Sequence, residues 1–301
     1  MMREAPAGCQ WWSGHAVDRI YGRGMDNPWL ERRVLNYAHQ GGAREAPSST
    51  LHAFRRANGV GATALEMDVH CTADGVLVVC HDSTIDRTTP ASGRIADLTW
   101  SQLAELDNAH WWVPGEEAVT DRDPQEYVLR GRAPADETLG IVTLATVLEE
   151  FRGVYLNLDI KGTAPDVEPY EGKLADLLRT HERIDDVIVA SFHDDALHRF
   201  RAVAPEIATS MALMETLAAA QALRTGEPLQ TSGQVALQIP YILQGVPVID
   251  RDLVAAAHAA GLAVHVWTID EVPHMLELLE MDVDGIITDV PSVLQDVLDA
   301  R

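Results

Sequence analysis

Histidines and carboxylates accompany short apolar runs at four places in this sequence. His39 ends the first run, Glu66 and Asp68 lie within the second, His81 follows a third, and Asp159 lies within a fourth. Histidine exchanges protons near neutral pH, which suits general acid-base catalysis. Neighbouring carboxylates raise one another's pKa, so a cluster of three needs a cation to stay ionised. If the fold brings these side chains together, they predict proton transfer beside a bound metal ion.

The donor atoms narrow the choice of metal. An all-oxygen shell from Glu66, Asp68 and Asp159 suits Mg²⁺, Ca²⁺ or Mn²⁺ better than zinc. We therefore expect one divalent cation as cofactor. His39 and His81 flank this cluster, and two histidines beside a metal-bound substrate can divide the work, one removing a proton and the other supplying one.

The elements that must position these residues are strands of a parallel sheet. Short apolar or β-branched runs alternate with amphipathic helical patterns over most of the chain, as in βαβ units. Eight such repeats favour a TIM-type (β/α)8 barrel over an open sheet, and the carboxyl ends of barrel strands form the active-site mouth. The strand candidates are Val34–His39, Ala62–Val69, Val154–Ile160, Val187–Ser191, Ile207–Met211, Gln234–Gln238, Ala263–Trp267 and Gly285–Thr288. The helical patterns are Ser49–Asn58, Thr143–Phe151, Tyr170–His181, Ala196–Ala204, Asp252–Ala260 and Val272–Glu280.

One connection departs from the βαβ pattern. Only a short segment that contains the turn dipeptide Asp74-Gly75 separates the second strand from the apolar run Val76–Cys80. A parallel crossover needs a dozen or more residues, so this run is predicted to double back as a hairpin.

The position of the turn sets which residues of the hairpin share a face. A turn centred between Ala73 and Asp74 places Glu66 opposite His81 and Asp68 opposite Val79. Because alternate residues of a strand share a face, Glu66, Asp68 and His81 would then project together.

Two segments fall outside the repeats. Residues 107–138 show no periodicity and are predicted as an insertion into the barrel of residues 34–301. Loops of this length are usually functional or disordered. A lid that carries Trp111 and Trp112 and a surface segment packed on the barrel both fit. Residues 1–33 form an N-terminal arm that can pack on the barrel or on a neighbouring copy, so a homo-oligomer stays open.

The amino-acid composition restricts the kinds of molecule that the protein is expected to bind. The formal net charge of −23 argues against nucleic acid or an anionic membrane, since phosphate backbones select for basic surfaces. No apolar run reaches the roughly 18 residues of a membrane span, and residues 1–30 lack a signal-like run. The three cysteines are too scattered for a disulfide framework. These features predict a soluble, cytoplasmic protein that acts on a small molecule.

A series of short motifs occurs in order between residues 34 and 296. The motifs are His39-Gln40-Gly41-Gly42, Pro47-Ser48-Ser49-Thr50-Leu51, Glu66-x-Asp68, Asp74-Gly75-x-x-Val78-Val79-x-His81-Asp82, Asp86-Arg87-Thr88-Thr89, Asp159-Ile160-Lys161, Ser191-Phe192, Val266-Trp267-Thr268 and Asp284-Gly285-Ile286-Ile287-Thr288-Asp289. In combination they resemble the glycerophosphodiester phosphodiesterase family, within the PLC-like phosphodiesterase superfamily.

This resemblance implies a TIM barrel that hydrolyses glycerophosphodiesters to glycerol 3-phosphate and an alcohol. It implies acid-base roles for His39 and His81 and divalent metal binding by Glu66, Asp68 and Asp159. Attack by the glycerol hydroxyl through a cyclic phosphate and direct attack by water are both compatible with these residues.

The chain departs from the family pattern at the phosphate contacts. Gln40 stands where arginine is usual, and glutamine lacks the charged bidentate grip on phosphate. Arg44 or Lys161 is expected to supply the missing charge. Asp159 stands where glutamate is usual, which also resembles the sphingomyelinase D-type phospholipases. Trp267, at a strand end, is expected either to contact the glycerol moiety or to pack in the core.

Two alternatives to glycerophosphodiester hydrolysis remain at this level. One is a phospholipase D-like activity on lysophospholipids, with the tryptophan-rich insertion contacting an acyl chain. The other is a barrel that binds phosphoesters without cleaving them, motivated by Gln40. The presence of both histidines and all three carboxylates argues against the second alternative.

Overall fold

Eight parallel strands form a closed barrel in the computed structural model, which describes residues 27–133, 135–161, 169–227, 229 and 231–301. The strands, in chain order, are β1 Leu35–Ala38, β2 Ala64–Cys71, β3 Leu77–Val79, β4 Val142–Thr143, β5 Tyr155–Ile160, β6 Val187–Ala190, β7 Ala208–Ser210, β8 Gln234–Pro240, β9 Ile242–Leu243, β10 Val246–Pro247, β11 Ala263–Trp267 and β12 Gly285–Thr288. The barrel closes because β1 pairs in parallel with both β2 and β12. The predicted TIM-type fold is confirmed.

Helices cover the outside of the barrel. They are α1 Leu51–Gly59, α2 Trp100–Leu103, α3 Leu144–Glu150, α4 Glu171–Thr180, α5 Asp194–Val203, α6 Leu213–Thr225, α7 Arg251–Ala259, α8 Val272–Glu280 and α9 Pro291–Asp299. Side chains of Thr50, Thr143 and Asp250 cap α1, α3 and α7 by accepting hydrogen bonds from backbone N–H groups of the first turn. None of the described helices combines the length and the apolar composition needed to cross a bilayer.

The predicted hairpin is present, but its register differs from the prediction by one residue. β2 pairs antiparallel with β3, with Val69 opposite Val79. The backbone N–H of Thr72 donates to the carbonyl of Val76, so the loop has three residues and ends at Gly75, whose φ is +84°. A left-handed residue at this position is typical of three-residue hairpin loops.

The predicted placement of His81 opposite Glu66 is therefore wrong. β3 ends at Val79, and His81 lies in the bend that follows, where strand alternation no longer determines the side-chain direction.

The arm closes the barrel at the amino ends of the strands. The side-chain amide of Asn27 donates to the carbonyls of Val235 and Gly261, at 2.6 and 2.9 Å. Trp29 is buried against Tyr155, the first residue of β5. Residues 27–33 thus pack on the barrel itself, while Trp11 and Trp12 lie outside the described residues.

The described part of the 107–138 insertion packs on the loops of the barrel. The indole N–H of Trp111 donates to the carbonyl of Thr89, and that of Trp112 donates to the carbonyl of Ala43. Neither tryptophan lines the cavity described below. The structure supports a packed surface segment and gives no role to these tryptophans as a lid.

Candidate active site

A cavity of about 300 Å³ opens at the carboxyl ends of the barrel strands. Its charged lining consists of six residues that the sequence analysis selected: His39, Glu66, Asp68, His81, Asp159 and Lys161. They arrive from β1, β2, the bend after β3, and β5. The fold therefore brings the predicted acid-base and metal-binding residues to one place.

A sharp loop positions the first histidine. After His39 the chain passes through three consecutive residues of left-handed conformation, with φ of +51° at Gln40, +86° at Gly41 and +88° at Gly42. A Cβ at Gly41 would lie 2.7 Å from the Cβ of Ala53, so glycine is required there. The same loop directs the backbone N–H of Gln40 toward the carboxylate of Glu66, to which it donates at 3.1 Å.

Each histidine has a carboxylate at its Nδ1 atom. Nδ1 of His39 lies 2.8 Å from Oδ1 of Asp289, and Nδ1 of His81 lies 2.6 Å from Oδ1 of Asp82. The other oxygen of Asp82 accepts a hydrogen bond from Arg87. A carboxylate that accepts from Nδ1–H fixes the tautomer and orientation of the ring and leaves Nε2 for proton transfer.

Neither Asp82 nor Asp289 was predicted from the sequence to have a role in the site. Both lie within the motifs, Asp82 directly after a selected histidine and Asp289 directly after the last strand. Polar residues at the carboxyl ends of barrel strands are candidates for the active site, and this rule was available as a signal for Asp289.

The carboxylates around His39 favour its protonated form. Burial lowers the pKa of the imidazole, but the charge of Glu66 and the hydrogen bond and charge of Asp289 outweigh it and raise the pKa to about 9. Burial, followed by the charge of Asp68, raises the pKa of Glu66. Nε2 of His39 lies 3.9 Å from Oε2 of Glu66, so each group favours the ionised form of the other.

Lys161 lies between two buried carboxylates. Its Nζ atom is 2.8 Å from Oδ1 of Asp68 and 3.0 Å from Oδ2 of Asp159. The second oxygens of both aspartates, Oδ2 of Asp68 and Oδ1 of Asp159, are buried without a hydrogen-bond partner. A buried carboxylate oxygen without a partner is costly unless a cation or proton occupies the adjacent space.

The donor set fits a hard divalent cation. Glu66, Asp68 and Asp159 offer only oxygen atoms, and two of those atoms are unpaired and buried. Within the described ranges, no three His, Cys, Asp or Glu side chains already converge as a complete ligand shell. Two of the carboxylates instead pair with Lys161.

Two predicted phosphate contacts lie outside the cavity lining. Arg44 donates from Nε to the carbonyl of Gly115 and lies 3.6 Å from Asp270. These contacts tie its guanidinium to the insertion and to the loop after β11, and a phosphate contact by Arg44 stays a prediction. Gln40 is buried, and its side-chain Nε2 lies 3.3 Å from Nε2 of His39.

The opposite wall of the cavity carries no charged side chain among the residues that the structure describes. Its residues come from the ends of β6, β7, β8 and β11 and include Phe192, Met211, Leu213, Pro240 and Trp267. Trp267 packs edge-on against Phe192, with ring centroids 5.7 Å apart. Trp267 is therefore part of the cavity wall and also packs against a cluster of core residues, and its contact with the glycerol moiety stays a prediction.

The comparison with known families agrees with this geometry. The model of the glycerophosphoryl diester phosphodiesterase family matches residues 39–293, from the first cavity histidine to the last helix. The chain belongs to this family.

Two relatives align with most of the length of this family member. A glycerophosphodiester phosphodiesterase from Caldanaerobacter subterraneus subsp. tengcongensis is 28% identical over 264 residues, which cover 87% of this chain and 96% of the relative. A probable glycerophosphodiester phosphodiesterase 2 from Mycobacterium tuberculosis is 32% identical over 264 residues, covering 85% and 86%. The solved structure of an Oleispira antarctica phosphodiesterase in complex with the product sn-glycerol-3-phosphate has a TM-score of 0.65 at 24% identity. It covers 90% of this chain and 99% of that one, which shows a shared fold.

Gln40 brings an uncharged amide next to His39 in this family member. Lys161 is the one Lys or Arg side chain in the cavity lining among the residues that the structure describes.

Proposed function

We propose that this chain hydrolyses glycerophosphodiesters to glycerol 3-phosphate and an alcohol. His39 and His81 act as the acid-base pair, and Glu66, Asp68 and Asp159 hold one divalent cation. The observation that carries the proposal is the arrangement of the histidines: both line one cavity, and each has its Nδ1 against a carboxylate. The family membership and the glycerol-3-phosphate in the Oleispira structure support the substrate class.

The side chains of this chain account for the proton transfers. One histidine accepts a proton at Nε2 from the attacking hydroxyl, and the other donates a proton to the oxygen of the departing alcohol. Asp82 and Asp289 hold the two rings in the required orientation and stabilise each imidazolium as it forms. Lys161 carries positive charge toward the phosphate oxygens.

The proposal includes a divalent cation because the cavity contains carboxylates that could bind it. When bound, a divalent cation supplies charge neutralisation for the phosphodiester. Asp68 and Asp159 provide the buried unpaired oxygens, and Glu66 provides a third carboxylate. Binding of Mn²⁺ to the purified protein, followed by titration calorimetry and by the shift in unfolding temperature, tests this role without an activity assay. Loss of Mn²⁺ binding in Asp159→Asn is expected, and unchanged binding in this variant contradicts the ligand assignment.

Release of glycerol 3-phosphate from glycerophosphocholine tests the reaction itself. We compare wild type and His39→Ala with Mg²⁺, Mn²⁺ or Ca²⁺, and we use His198→Ala as the control. His198 lies on α5, and its side chain is 66% exposed. Turnover that is lost in His39→Ala and retained in His198→Ala is the expected result, while equal activity in both variants contradicts the mechanism.

The two alternatives make different predictions in the same assay. A barrel that only binds phosphoesters would bind glycerophosphocholine without releasing product. The structure does not support a lysophospholipid-specific enzyme in which the insertion tryptophans contact the acyl chain of the substrate. Trp111 and Trp112 donate hydrogen bonds to barrel loops outside the cavity.

Oligomeric state and cytoplasmic location stay predictions from the sequence. Light scattering on the purified chain measures the first, and cell fractionation measures the second.

A further inference from the structure

Six large apolar side chains stand exposed around one sector of the barrel mouth. We call this set the apolar rim: Phe192, Leu213, Leu217, Ile242, Leu243 and Val246. Their exposed fractions lie between 46 and 62%, and they are the majority of the large apolar side chains exposed in the described part of the chain. Contiguous exposed apolar surface on a water-soluble domain usually marks a binding site.

The rim is built from three consecutive crossovers of the barrel. Phe192 follows β6, and Leu213 and Leu217 lie one turn apart on the same face of α6, which follows β7. The hairpin of β9 and β10 follows β8, whose last residue, Pro240, lines the cavity.

The hairpin of the rim is a defined structure. Leu243 pairs with Val246 across the two-residue turn Gln244-Gly245, whose φ values are +51° and +81°. Two positive φ values at the turn are typical of type I′ hairpins, which match the twist of the strands. The hairpin therefore holds Leu243 and Val246 side by side on one face and Ile242 on the other, and all three side chains are exposed.

The rim continues into the cavity. Phe192 and Leu213 belong to both, and the described residues of the cavity wall on their side include no charged side chain. The phosphate-directed residues, Lys161 and the two histidines, lie on the other wall. A substrate whose phosphate sits between the histidines must therefore send one of its two substituents along an apolar surface.

The chemistry of the substituents decides which one takes this path. The glycerol moiety carries two free hydroxyl groups, which lose hydrogen bonds when placed against an apolar wall. The charged wall offers carboxylates and an ammonium group to such hydroxyls. The alcohol side of the phosphodiester is therefore the substituent that meets Phe192 and Leu213.

We propose that the apolar rim binds the alcohol moiety of the substrate and that this enzyme prefers glycerophosphodiesters whose alcohol is an aliphatic chain. This inference rests on the proposed function. In the reaction, the oxygen of water forms a bond to phosphorus and the bond between phosphorus and the alkyl oxygen breaks. The water proton passes to one histidine, and the departing alcohol receives a proton from the other, so the products are glycerol 3-phosphate and the aliphatic alcohol.

The test measures kcat/KM for the ethyl, butyl, hexyl and octyl esters of glycerol 3-phosphate, below their aggregation concentrations. We expect kcat/KM to rise by about twofold per methylene, because the rim shields only one side of the chain from water. The rise should be lost in Leu213→Gln and in Leu243→Gln. The slope with chain length is compared within each variant, so a general loss of turnover or folding does not imitate the result.

Val203→Ser is the matched control. Val203 is 45% exposed at the end of α5 that lies away from the mouth. This variant should keep both the activity on the ethyl ester and the slope with chain length.

The outcomes separate this inference from the proposed function. Hydrolysis of the ethyl ester without a rise along the series overturns the chain-binding inference and leaves the proposed function intact. If no ester is hydrolysed, the proposed function fails, and calorimetric binding of the same esters still tests the rim. Wild type should then bind the octyl ester more tightly than the ethyl ester, and equal affinities would overturn the inference.

Two further results would also contradict it. The first is measured with 1-alkyl glycerophosphocholines, in which the chain is attached to the glycerol moiety. If kcat/KM rises with chain length only in this series, the rim binds the glycerol side of the substrate instead. The second combines two observations: wild type binds phosphatidylcholine vesicles in the absence of substrate, and kcat/KM does not change with chain length. Together they would make the rim a contact with a lipid surface.

Discussion

The two halves of the barrel mouth differ in the kind of side chain they present. The half formed by β1, β2, β3 and β5 carries the two histidines, three carboxylates and Lys161. The half formed by β6, β7, β8 and β11 presents aromatic and aliphatic side chains, and none of its described residues in the cavity lining is charged. The charged and titratable side chains of the cavity lining thus come from the first half of the chain, and its apolar side chains come mostly from the second half.

Histidines in the two halves show how the surroundings determine their charge. Neighbouring carboxylates raise the pKa of His39 to about 9, whereas burial alone lowers the pKa of His265, on β11, to about 3. His265 has the side-chain amide of Gln238 3.3 Å from its Nδ1 and no carboxylate contact among the described residues. The same residue type therefore favours its protonated form in one half and its neutral form in the other.

Removal of a cavity histidine should have the largest effect. His81→Ala is expected to lower kcat by about 10²- to 10⁴-fold, because a positioned acid or base contributes that much to proton transfer. Steady-state release of glycerol 3-phosphate measures the change. Phe192→Ala should act mainly on KM. A decrease in kcat as large as that in His81→Ala would contradict the distinction between the two halves.

Neutralising a carboxylate behind a histidine should have an intermediate effect. Asp82→Asn is expected to lower kcat by about 10- to 100-fold, because the amide no longer fixes the tautomer of His81. Asp176→Asn, on an exposed face of α4, is the control. A kcat in Asp82→Asn as high as that in Asp176→Asn would leave Asp82 without a positioning role.

His265 should make the folded state sensitive to acid. Its folded pKa of about 3 lies below the unfolded value of 6.5, so the unfolded chain binds the proton first as the pH falls. Stability is fully present above pH 6.5 and decreases as the pH approaches 3. Between pH 7 and 5 the loss is about 2 kcal/mol for this one group.

Urea unfolding at pH 7, 6 and 5 measures this dependence. His265→Gln should show a smaller decrease in the free energy of unfolding than wild type, and His198→Gln should behave as wild type does. Parallel curves for His265→Gln and wild type would rule out this histidine as the source.

Truncation of the apolar wall should have the smallest effect on turnover. Trp267→Ala is expected to raise KM by about three- to tenfold with kcat nearly unchanged, since lost binding surface acts on substrate and transition state alike. A drop in kcat as large as that of His81→Ala would place Trp267 with the catalytic half.

The charged half was predictable from the sequence because its residues follow simple rules. Polar residues at the ends of apolar runs become mouth residues as soon as the runs form a barrel. The strands lie within about two residues of the predicted bounds, since each is buried on both faces and reads as a continuous apolar run. The same rule explains why one cavity receives His39, Glu66, Asp68 and Asp159.

Long-range and local details were not predictable. The one-residue register difference arose because the left-handed conformation of Gly75 makes a three-residue turn, which composition alone does not distinguish. The direction of Arg44 depends on Asp270 and Gly115, both distant along the chain. Helix α6 escaped the prediction because Ala219 is its only fully buried residue, so it lacks a regular apolar stripe.

The arm residues at the barrel floor determine how the molecule can be presented to a surface. Asn27 joins the amino ends of β8 and β11, on the face opposite the catalytic mouth. An immobilisation handle fused directly before Asn27 would attach the enzyme by its floor and leave the cavity and the apolar rim facing the solution. Single-molecule or biosensor measurements on such a preparation would sample substrate access from the open side only.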